Sequence, residues 1–251
     1  MVDAAKARAF AALHVSGDPV ILYNAWDVGS ARAVARAGAR AIATGSWSVA
    51  AAQGFDDGEA LPLEQALAAA TRIAGAVDLP VTIDFEGGYA VDPAAAAENL
   101  ARLASTGAIG CNFEDQVIGG EGLHPIDVQT RRIAAVRAAV GPDFFLNARI
   151  DLFLNTPPAQ QDASLLDAVI DRARAYGEAG ASGIFVPGAF GPEHVAALHA
   201  AGSKPINVIP TNADIAELAA AGVARISYGP RPYRAAMKAV EDAAQRAFAW
   251  R

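Results

Sequence analysis

The feature that most constrains this chain is an eightfold alternation between short apolar runs and alanine-rich segments with helical periodicity. The runs are apolar at successive positions, which is typical of parallel strands buried on both faces. They predict strands at residues 20–24, 41–44, 81–84, 109–114, 144–150, 183–186, 206–209 and 224–227. The segments between them predict helices at residues 28–37, 63–76, 93–105, 128–140, 163–179, 192–201, 213–221 and 232–249.

Glycines mark the ends of most of these helices. A glycine just past the last helical residue adopts left-handed backbone angles at little cost, so each is predicted to have a positive φ. The glycines are Gly38, Gly75, Gly107, Gly141, Gly180, Gly202 and Gly222. Each separates a helix from the strand that follows it.

Eight β–α units in 251 residues have the size of a closed (β/α)8 barrel, the TIM barrel. We therefore predict one α/β barrel domain over residues 1–251, with a leading helix at residues 3–15 that closes the bottom. The alternative is an open, doubly wound sheet. Such a sheet carries a glycine-rich nucleotide-binding turn after its first strand, whereas this chain has Asn24-Ala25-Trp26-Asp27 there.

Composition excludes several classes of protein. A net charge of −7 without a run of lysine or arginine argues against nucleic-acid binding, and no apolar run is long enough to cross a membrane. The single cysteine, Cys111, excludes a disulfide framework and is interpreted as a core residue. The first residues are charged and unlike a signal peptide, so we expect a cytoplasmic protein.

Acidic side chains cluster where the predicted strands end, which is the end of a barrel that carries its chemistry. Carboxylates this close repel one another unless a cation sits among them. Oxygen ligands without histidine or cysteine indicate Mg²⁺ or Mn²⁺. The alternative for each acid is a helix cap or a solvated loop position. The acids are Asp84 and Glu86 after the third run, Glu114 and Asp115 after the fourth, and Asp57 after the second.

One basic side chain stands next to this acidic set. Arg149 lies within the fifth apolar run, where an unpaired arginine would be costly. Its planar fork suits a carboxylate or a phosphonate, and a metal beside it would chelate the keto and carboxylate oxygens of an α-oxo acid. The structural alternative is an ion pair with Glu86 or Glu114. No lysine closes a predicted strand, which argues against Schiff-base chemistry.

Further polar residues at the predicted strand ends are candidates for binding substrate or moving a proton. The turn after the second run suits an anion cradle or a plain turn. The glycine-rich loop at residues 116–125 suits a lid, and its histidine either carries a proton or is simply solvated. The candidates are Gly45, Ser46, Trp47 and Asn207 for substrate, and His124 and Tyr89 for the proton.

Six short motifs occur in order along the chain: Asn24-Ala25-Trp26-Asp27, Thr44-Gly45-Ser46, residues 54–58, residues 83–89, residues 112–116 and Asn147-Ala148-Arg149. Together they resemble the isocitrate lyase/phosphoenolpyruvate mutase superfamily, over residues 18–230. The resemblance implies a (β/α)8 barrel whose last helix is exchanged between subunits in a homodimer or tetramer. It also implies Mg²⁺ and substrates that pass through a pyruvate-type enolate.

The resemblance further implies a role for individual residues. Asp84 would bind the metal directly, and Asp57, Glu86 and Glu114 would bind it through water. Arg149 would hold the substrate carboxylate, and the backbone of Gly45 and Ser46 would cradle the substrate's other end. Two features depart from the family. Glu86 stands where aspartate is usual, and residues 116–125 carry neither the lyases' cysteine motif nor the mutases' lysine.

Together these residues predict a Mg²⁺-dependent lyase that breaks a C–C bond of a small α-oxo or 2-hydroxy carboxylate. The enolate would then be protonated by His124, Tyr89 or water. The alternatives are a phosphoenolpyruvate phosphonomutase or phosphonopyruvate hydrolase, and a non-catalytic protein that binds an oxo acid.

Overall fold

The computed structural model describes residues 2–211 and 213–250. Its strands are β1 Val20–Leu22, β2 Ile42–Ala43, β3 Val81–Asp84, β4 Gly110–Glu114, β5 Phe145–Arg149, β6 Gly183–Val186, β7 Ile206–Val208 and β8 Arg225–Ser227. They form one parallel sheet in the order β1-β8-β7-β6-β5-β4-β3-β2. Its two ends meet, because the Ala25 amide after β1 donates to the Ala43 carbonyl in β2 (2.8 Å). The prediction of a (β/α)8 TIM barrel is confirmed.

Helices cover the outside of the sheet. Aspartates at their starts accept hydrogen bonds from the amides of the first turn, as Asp92 and Asp162 do. None of the helices in the described part of the chain is long and apolar enough to cross a membrane. They are α1 Ala4–Ala12, α2 Val28–Arg36, α3 Ser46–Ala51, α4 Leu63–Ala74, α5 Pro93–Ala104, α6 Ile126–Val140, α7 Leu152–Asn155, α8 Ala163–Glu178, α9 Pro192–Ala200, α10 Ile215–Ala220 and α11 Arg231–Phe248.

The predicted helices recur with small shifts at their ends, and two short ones are new. The leading helix stops at Ala12 instead of residue 15. The α3 and α7 helices were not predicted, because segments of six and four residues are too short to show a helical period. The predicted positive φ is wrong for Gly75 (φ −75°), because the chain continues in a right-handed turn in which the Ala76 amide donates to Ile73.

The barrel lumen is apolar at the bottom and polar above. Phe10 of α1 packs edge-on against Phe145 of β5 (ring centroids 5.2 Å apart), and His14 stacks on the same ring (4.1 Å). Burial lowers the pKa of His14 to about 3, so this histidine is a neutral packing residue. The next layer up is buried and polar, and consists of Asn112, Asn147, Asn207, Arg225 and Ser227.

The last helix, α11, packs little against the barrel. Pro232 is its only buried residue, whereas the side chains of Val240 and Phe248 are 62% and 78% exposed. Near its start, the Tyr233 ring lies edge-on to Trp26 (centroids 5.2 Å apart). This chain therefore leaves an apolar stripe of α11 uncovered.

Gly183 in β6 makes room for the polar layer of the lumen. A Cβ there would lie 2.8 Å from Asn147 Oδ1 and 3.1 Å from the Phe145 ring. We expect Gly183→Ala to lower the free energy of unfolding by about 1–3 kcal/mol, because neither neighbour can retreat within the filled lumen. Urea denaturation measures the effect. Gly29→Ala in α2 is the control, because its Cβ would meet nothing closer than 3.5 Å. Equal stabilities of the two variants would contradict the prediction.

Candidate functional site

The candidate site lies at the carboxyl ends of neighbouring strands. Asp84 ends β3, Glu114 ends β4 and Arg149 ends β5, and register pairs Glu114 with Arg149. Residues at alternate positions of a strand point to the same face, so these three ends direct their side chains to the mouth of the barrel. Asp57 joins them from the loop between α3 and α4, and Glu86 from the loop after β3.

Among these acids, Asp84 accepts the most hydrogen bonds from other residues. Its Oδ2 accepts hydrogen bonds from the amide of Ser46 (3.2 Å) and from its hydroxyl (3.1 Å). Its Oδ1 accepts one from Asn112 Nδ2 (3.1 Å), and its own amide donates to Thr44 Oγ1 (3.0 Å). Both carboxylate oxygens are thus held in place by residues from β4 and from the segment after β2.

The loops that carry Asp57 and Glu86 are tied together. The Ser46 hydroxyl also lies within hydrogen-bond distance of Asp57 Oδ1 (3.2 Å), so one serine joins Asp57 to Asp84. The Glu59 amide donates to the Glu86 carboxylate, and the Glu59 carboxylate accepts from the Tyr89 amide (2.7 Å). Sequence reasoning missed Glu59, because a loop glutamate carries no periodic signal.

Backbone strain is concentrated in the same loops. Glu59, Glu86 and Tyr89 have φ values of 59°, 49° and 58°, and they are the only residues other than glycine with positive φ in the described ranges. Left-handed angles cost a residue with a side chain free energy, and such strain gathers at functional sites. The hydrogen bonds of Glu59 hold these angles in place.

Burial and the closeness of other acids raise the pKa of several acids at the mouth. Burial, followed by repulsion from Asp57 and Asp84, raises the pKa of Glu86 to about 8. Burial and the charge of Asp84 raise the pKa of Asp57, and burial raises that of Glu114 well above its usual value. In the absence of a cation among them, these acids therefore resist losing their protons.

Arg149 is held between two acids. Its Nη1 lies 2.8 Å from Glu114 Oε2, the ion pair that the sequence left as the structural alternative. Its Nε and Nη2 donate to the two oxygens of Asp151 (2.6 and 3.0 Å). Two buried carboxyl groups therefore fix the plane of the guanidinium group. Sequence reasoning missed Asp151, although its spacing of two residues from Arg149 was an available signal.

Asp115, which the sequence grouped with the site acids, lies elsewhere. It follows Glu114 directly, and successive strand residues point to opposite faces, so its side chain leaves the lumen. It is fully buried and accepts hydrogen bonds from Tyr176 Oη (2.8 Å) and Arg172 Nη1 (3.0 Å). Its role is to anchor α8 to the end of β4, and its assignment to the acidic set of the mouth is wrong.

The loop after β4 is a short hairpin. Gln116 bridges to Leu123 in antiparallel fashion, and the Val117 amide donates to the Gly122 carbonyl (3.0 Å). His124 at its end is buried, and burial together with the charges of Arg132 and Arg172 lowers its pKa. Its imidazole is therefore neutral at neutral pH.

His124 and Tyr89, the two candidates for moving a proton, line one cavity of about 110 Å³. The Glu59 and Arg132 side chains line it too. The structure thus brings the two candidates together, next to the loop that carries Glu86.

The predicted substrate contacts are divided between two places. Gly45 is the N-cap of α3, and the Ser46 amide is already bound to Asp84. Trp47 faces α11, where the Arg234 guanidinium lies over its ring (4.6 Å from the centroid). Asn207 is buried in the lumen, where its Oδ1 accepts from the Ser227 hydroxyl (3.2 Å).

The donor set suits a hydrated divalent cation. Among the described residues, no three histidine, cysteine, aspartate or glutamate side chains converge to chelate a metal directly. The four acids Asp57, Asp84, Glu86 and Glu114 nevertheless present oxygen atoms only, and burial and mutual repulsion raise the pKa values of Asp57, Glu86 and Glu114. Magnesium commonly keeps several of its waters and takes only one or two carboxylates directly, so these residues fit that ion.

The raised pKa of Glu86 predicts a pH dependence of stability. Between its ordinary value of 4.5 and about 8, the unfolded chain releases the proton while the folded chain keeps it. The stability of the metal-free protein should therefore fall as pH rises through this range. Glu86→Gln cannot ionise, so its melting temperature should fall less steeply between pH 5 and 8. Glu98→Gln on α5 is the control, and identical slopes for wild type and Glu86→Gln would contradict the prediction.

Comparisons with known proteins agree with this geometry. The model of the phosphoenolpyruvate phosphomutase family matches residues 10–248. A candidate phosphonomutase from Burkholderia cenocepacia J2315 is 47% identical, with a TM-score of 0.93 over 97% of this chain and 98% of that one. An uncharacterized protein of Mycobacterium tuberculosis H37Rv is 36% identical over 234 residues, which are 93% of this chain and 86% of that protein.

Two further similar proteins differ in their chemistry. Oxaloacetate decarboxylase of Pseudomonas paraeruginosa PA7 is 32% identical over 192 residues, 72% of this chain and 64% of that protein. A phosphonopyruvate hydrolase in complex with oxalate and Mg²⁺ is 25% identical, with a TM-score of 0.85 over 96% of this chain and 86% of that one. The chain belongs to the phosphoenolpyruvate phosphomutase family, within the isocitrate lyase/phosphoenolpyruvate mutase superfamily of lyases and mutases.

Proposed function

We propose that this protein is a Mg²⁺-dependent lyase that cleaves a C–C bond of a small α-oxo or 2-hydroxy carboxylate. The observation that carries the proposal is the meeting of four carboxylates with Arg149 at one barrel mouth. An anionic substrate needs a cation among these acids, and the fixed guanidinium supplies a second positive group for its carboxylate. A similar phosphonopyruvate hydrolase, whose structure contains oxalate and Mg²⁺, supports the divalent cation and an anionic carboxylate ligand.

The four acids would hold the cation in two different ways. Asp84 would hold the ion directly, since Ser46 and Asn112 fix its oxygens, and Asp57, Glu86 and Glu114 would hold it through water. When bound, Mg²⁺ would polarise the oxo group and stabilise the negative charge that bond cleavage leaves on its oxygen.

Arg149 and the cavity beside the site would serve the two remaining tasks, which are binding the substrate carboxylate and supplying a proton. Arg149 would orient the substrate carboxylate, and Asp151 and Glu114 keep its guanidinium from rotating. Protonation of the carbon would come from the cavity that Tyr89 and His124 line, through one of these side chains or through water.

Phosphonate chemistry is the second candidate function. The candidate phosphonomutase that is 47% identical to this chain favours it. The hairpin at residues 116–123 favours C–C cleavage, because it has no lysine to contact a phosphonate group. The oxaloacetate decarboxylase that is 32% identical to this chain also favours C–C cleavage.

A panel of substrates separates these functions. With Mg²⁺, we expect NMR to detect pyruvate formed from oxaloacetate or 2-methylisocitrate. We expect no phosphate to form from phosphonopyruvate. Asp84→Asn should lower kcat/KM by more than the roughly 10- to 100-fold typical of residues that only orient a metal ligand. The control is Asp56→Asn, which removes an exposed acid from the loop between α3 and α4.

Three outcomes would contradict the proposal. Turnover of phosphonopyruvate alone would make this protein a phosphonate enzyme. Oxalate-induced stabilisation without turnover of any substrate would make it a binding protein. Full activity of Asp84→Asn would remove the metal site from the reaction.

We also propose that the protein is a homo-oligomer, a dimer or a tetramer, in which α11 packs on a second copy. The support is its uncovered apolar stripe, together with the outer face of β1, where Ile21 is 39% exposed. Burying both would remove apolar surface from water.

Light scattering coupled to size-exclusion chromatography tests this assembly. The wild type should elute as a dimer or tetramer, and Val240→Asp should shift it toward the monomer, because a charge would enter the apolar contact. Gln245→Asp adds the same charge at an exposed polar position of α11 and should change nothing. A monomeric wild type would overturn the proposal.

A further inference from the structure

A positive charge is buried in the lumen below the acidic mouth. Arg225 of β8 is 1% exposed, and within the described ranges no carboxylate lies at ion-pair distance from it. Strands β8 and β4 lie four places apart in the order of the eight-stranded barrel, so they face each other across it. The Arg225 side chain crosses the lumen, and its Nη2 donates to Asn112 Oδ1 on β4 (3.2 Å).

This contact fixes the orientation of the Asn112 amide. Its Oδ1 accepts from two donors, Arg225 Nη2 and Asn147 Nδ2 (2.9 Å). A guanidinium group can only donate, so a flipped amide would place its NH₂ against the Arg225 donor. The Nδ2 of Asn112 therefore points the other way and donates to Asp84 Oδ1 (3.1 Å). The hydrogen bonds run from Arg225 through Asn112 to Asp84.

Burying the charged Arg225 side chain costs free energy, which indicates that this residue does more than fill the lumen. Burying a charge without an opposite partner is expensive, and an apolar side chain of similar volume would fill the space more cheaply. Burial lowers the pKa of Arg225 only to about 10, so the guanidinium stays charged at neutral pH. The charge of the Asp84 carboxylate raises the pKa of Arg225 against this effect of burial.

We propose that Arg225 is a positioning residue, which orients the Asp84 carboxylate toward the cation through Asn112. The inference rests on the proposed function in one respect, namely that Asp84 binds a divalent cation. It adds a lumen residue, far along the chain from the acids, to the machinery of the site.

A Mn²⁺ binding assay tests the proposal without any substrate. Electron paramagnetic resonance of the free ion measures how much Mn²⁺ the purified protein binds. Arg225→Met should weaken Mn²⁺ binding by roughly 10- to 100-fold, the usual effect of removing a residue that orients a metal ligand. Asn112→Leu should produce a similar loss. The double variant should lose little more than either single one, because both break the same chain of hydrogen bonds.

Two further variants separate positioning from general damage to the fold. Arg225→Lys keeps the charge and a donor, so it should recover part of the affinity. Arg137→Met is the matched control, since Arg137 is also a largely buried arginine but bonds to Gly180, Gly141, Phe144 and Ser182 instead of the site. It should lower the melting temperature and leave Mn²⁺ affinity unchanged.

The outcomes distinguish the inference from the proposed function. Wild-type affinity in folded Arg225→Met, or fully additive losses in the double variant, would overturn the inference and leave the metal site standing. If Arg225→Met does not fold, Arg225→Lys and Asn112→Leu decide, and wild-type affinity in Asn112→Leu overturns the inference. A wild-type protein that binds no Mn²⁺ would overturn the metal site itself, and the inference with it.

Discussion

Negative charge packed into the barrel mouth is the constraint on which the rest of the site depends. Acids removed from water repel one another and resist ionisation, which is why burial raises the pKa of Glu86 and Glu114. The structure offsets this with donors aimed at particular oxygens, above all the Ser46 and Asn112 bonds to Asp84. A divalent cation would complete the compensation.

Two arginines serve this site in different ways. Arg149 stands at the mouth between Glu114 and Asp151, so its charge is locally matched and its plane is fixed. Arg225 lies below, without an acid beside it, and its influence on the acids passes through one amide. In our proposals, Arg149 binds the substrate and Arg225 keeps the metal ligand Asp84 in place. The buried charge of the lumen is therefore linked to the chemistry of the mouth.

Substrate choice in this arrangement would depend on the loops above the strands. The hairpin after β4 is closed by its own hydrogen bonds. Its Gln116, Ile118 and His124 line the adjacent cavity together with Tyr89, Glu59 and Arg132. The strained loops of Glu59 and Glu86 border the same cavity, since Glu59 and Gly87 also line it. Proteins with phosphonate chemistry and with carbon-bond chemistry are both similar to this chain, and in our proposal the absence of lysine from the hairpin favours carbon-bond cleavage.

Strand and helix periods are local properties of the chain, so they were enough to predict the barrel. Because parallel strands end on one side of a sheet, they also predicted that polar residues at the strand ends would meet there. The sequence also singled out Asp84, Glu86, Glu114 and Arg149, which follow or close apolar runs and which the structure brings together. Only the tertiary structure separated Asp115 from these acids and joined Asp151, Glu59 and Arg225 to them. The reason is physical: a hydrogen-bond partner is set by distance in space, and folding brings Arg225 to Asn112 across 113 residues of chain.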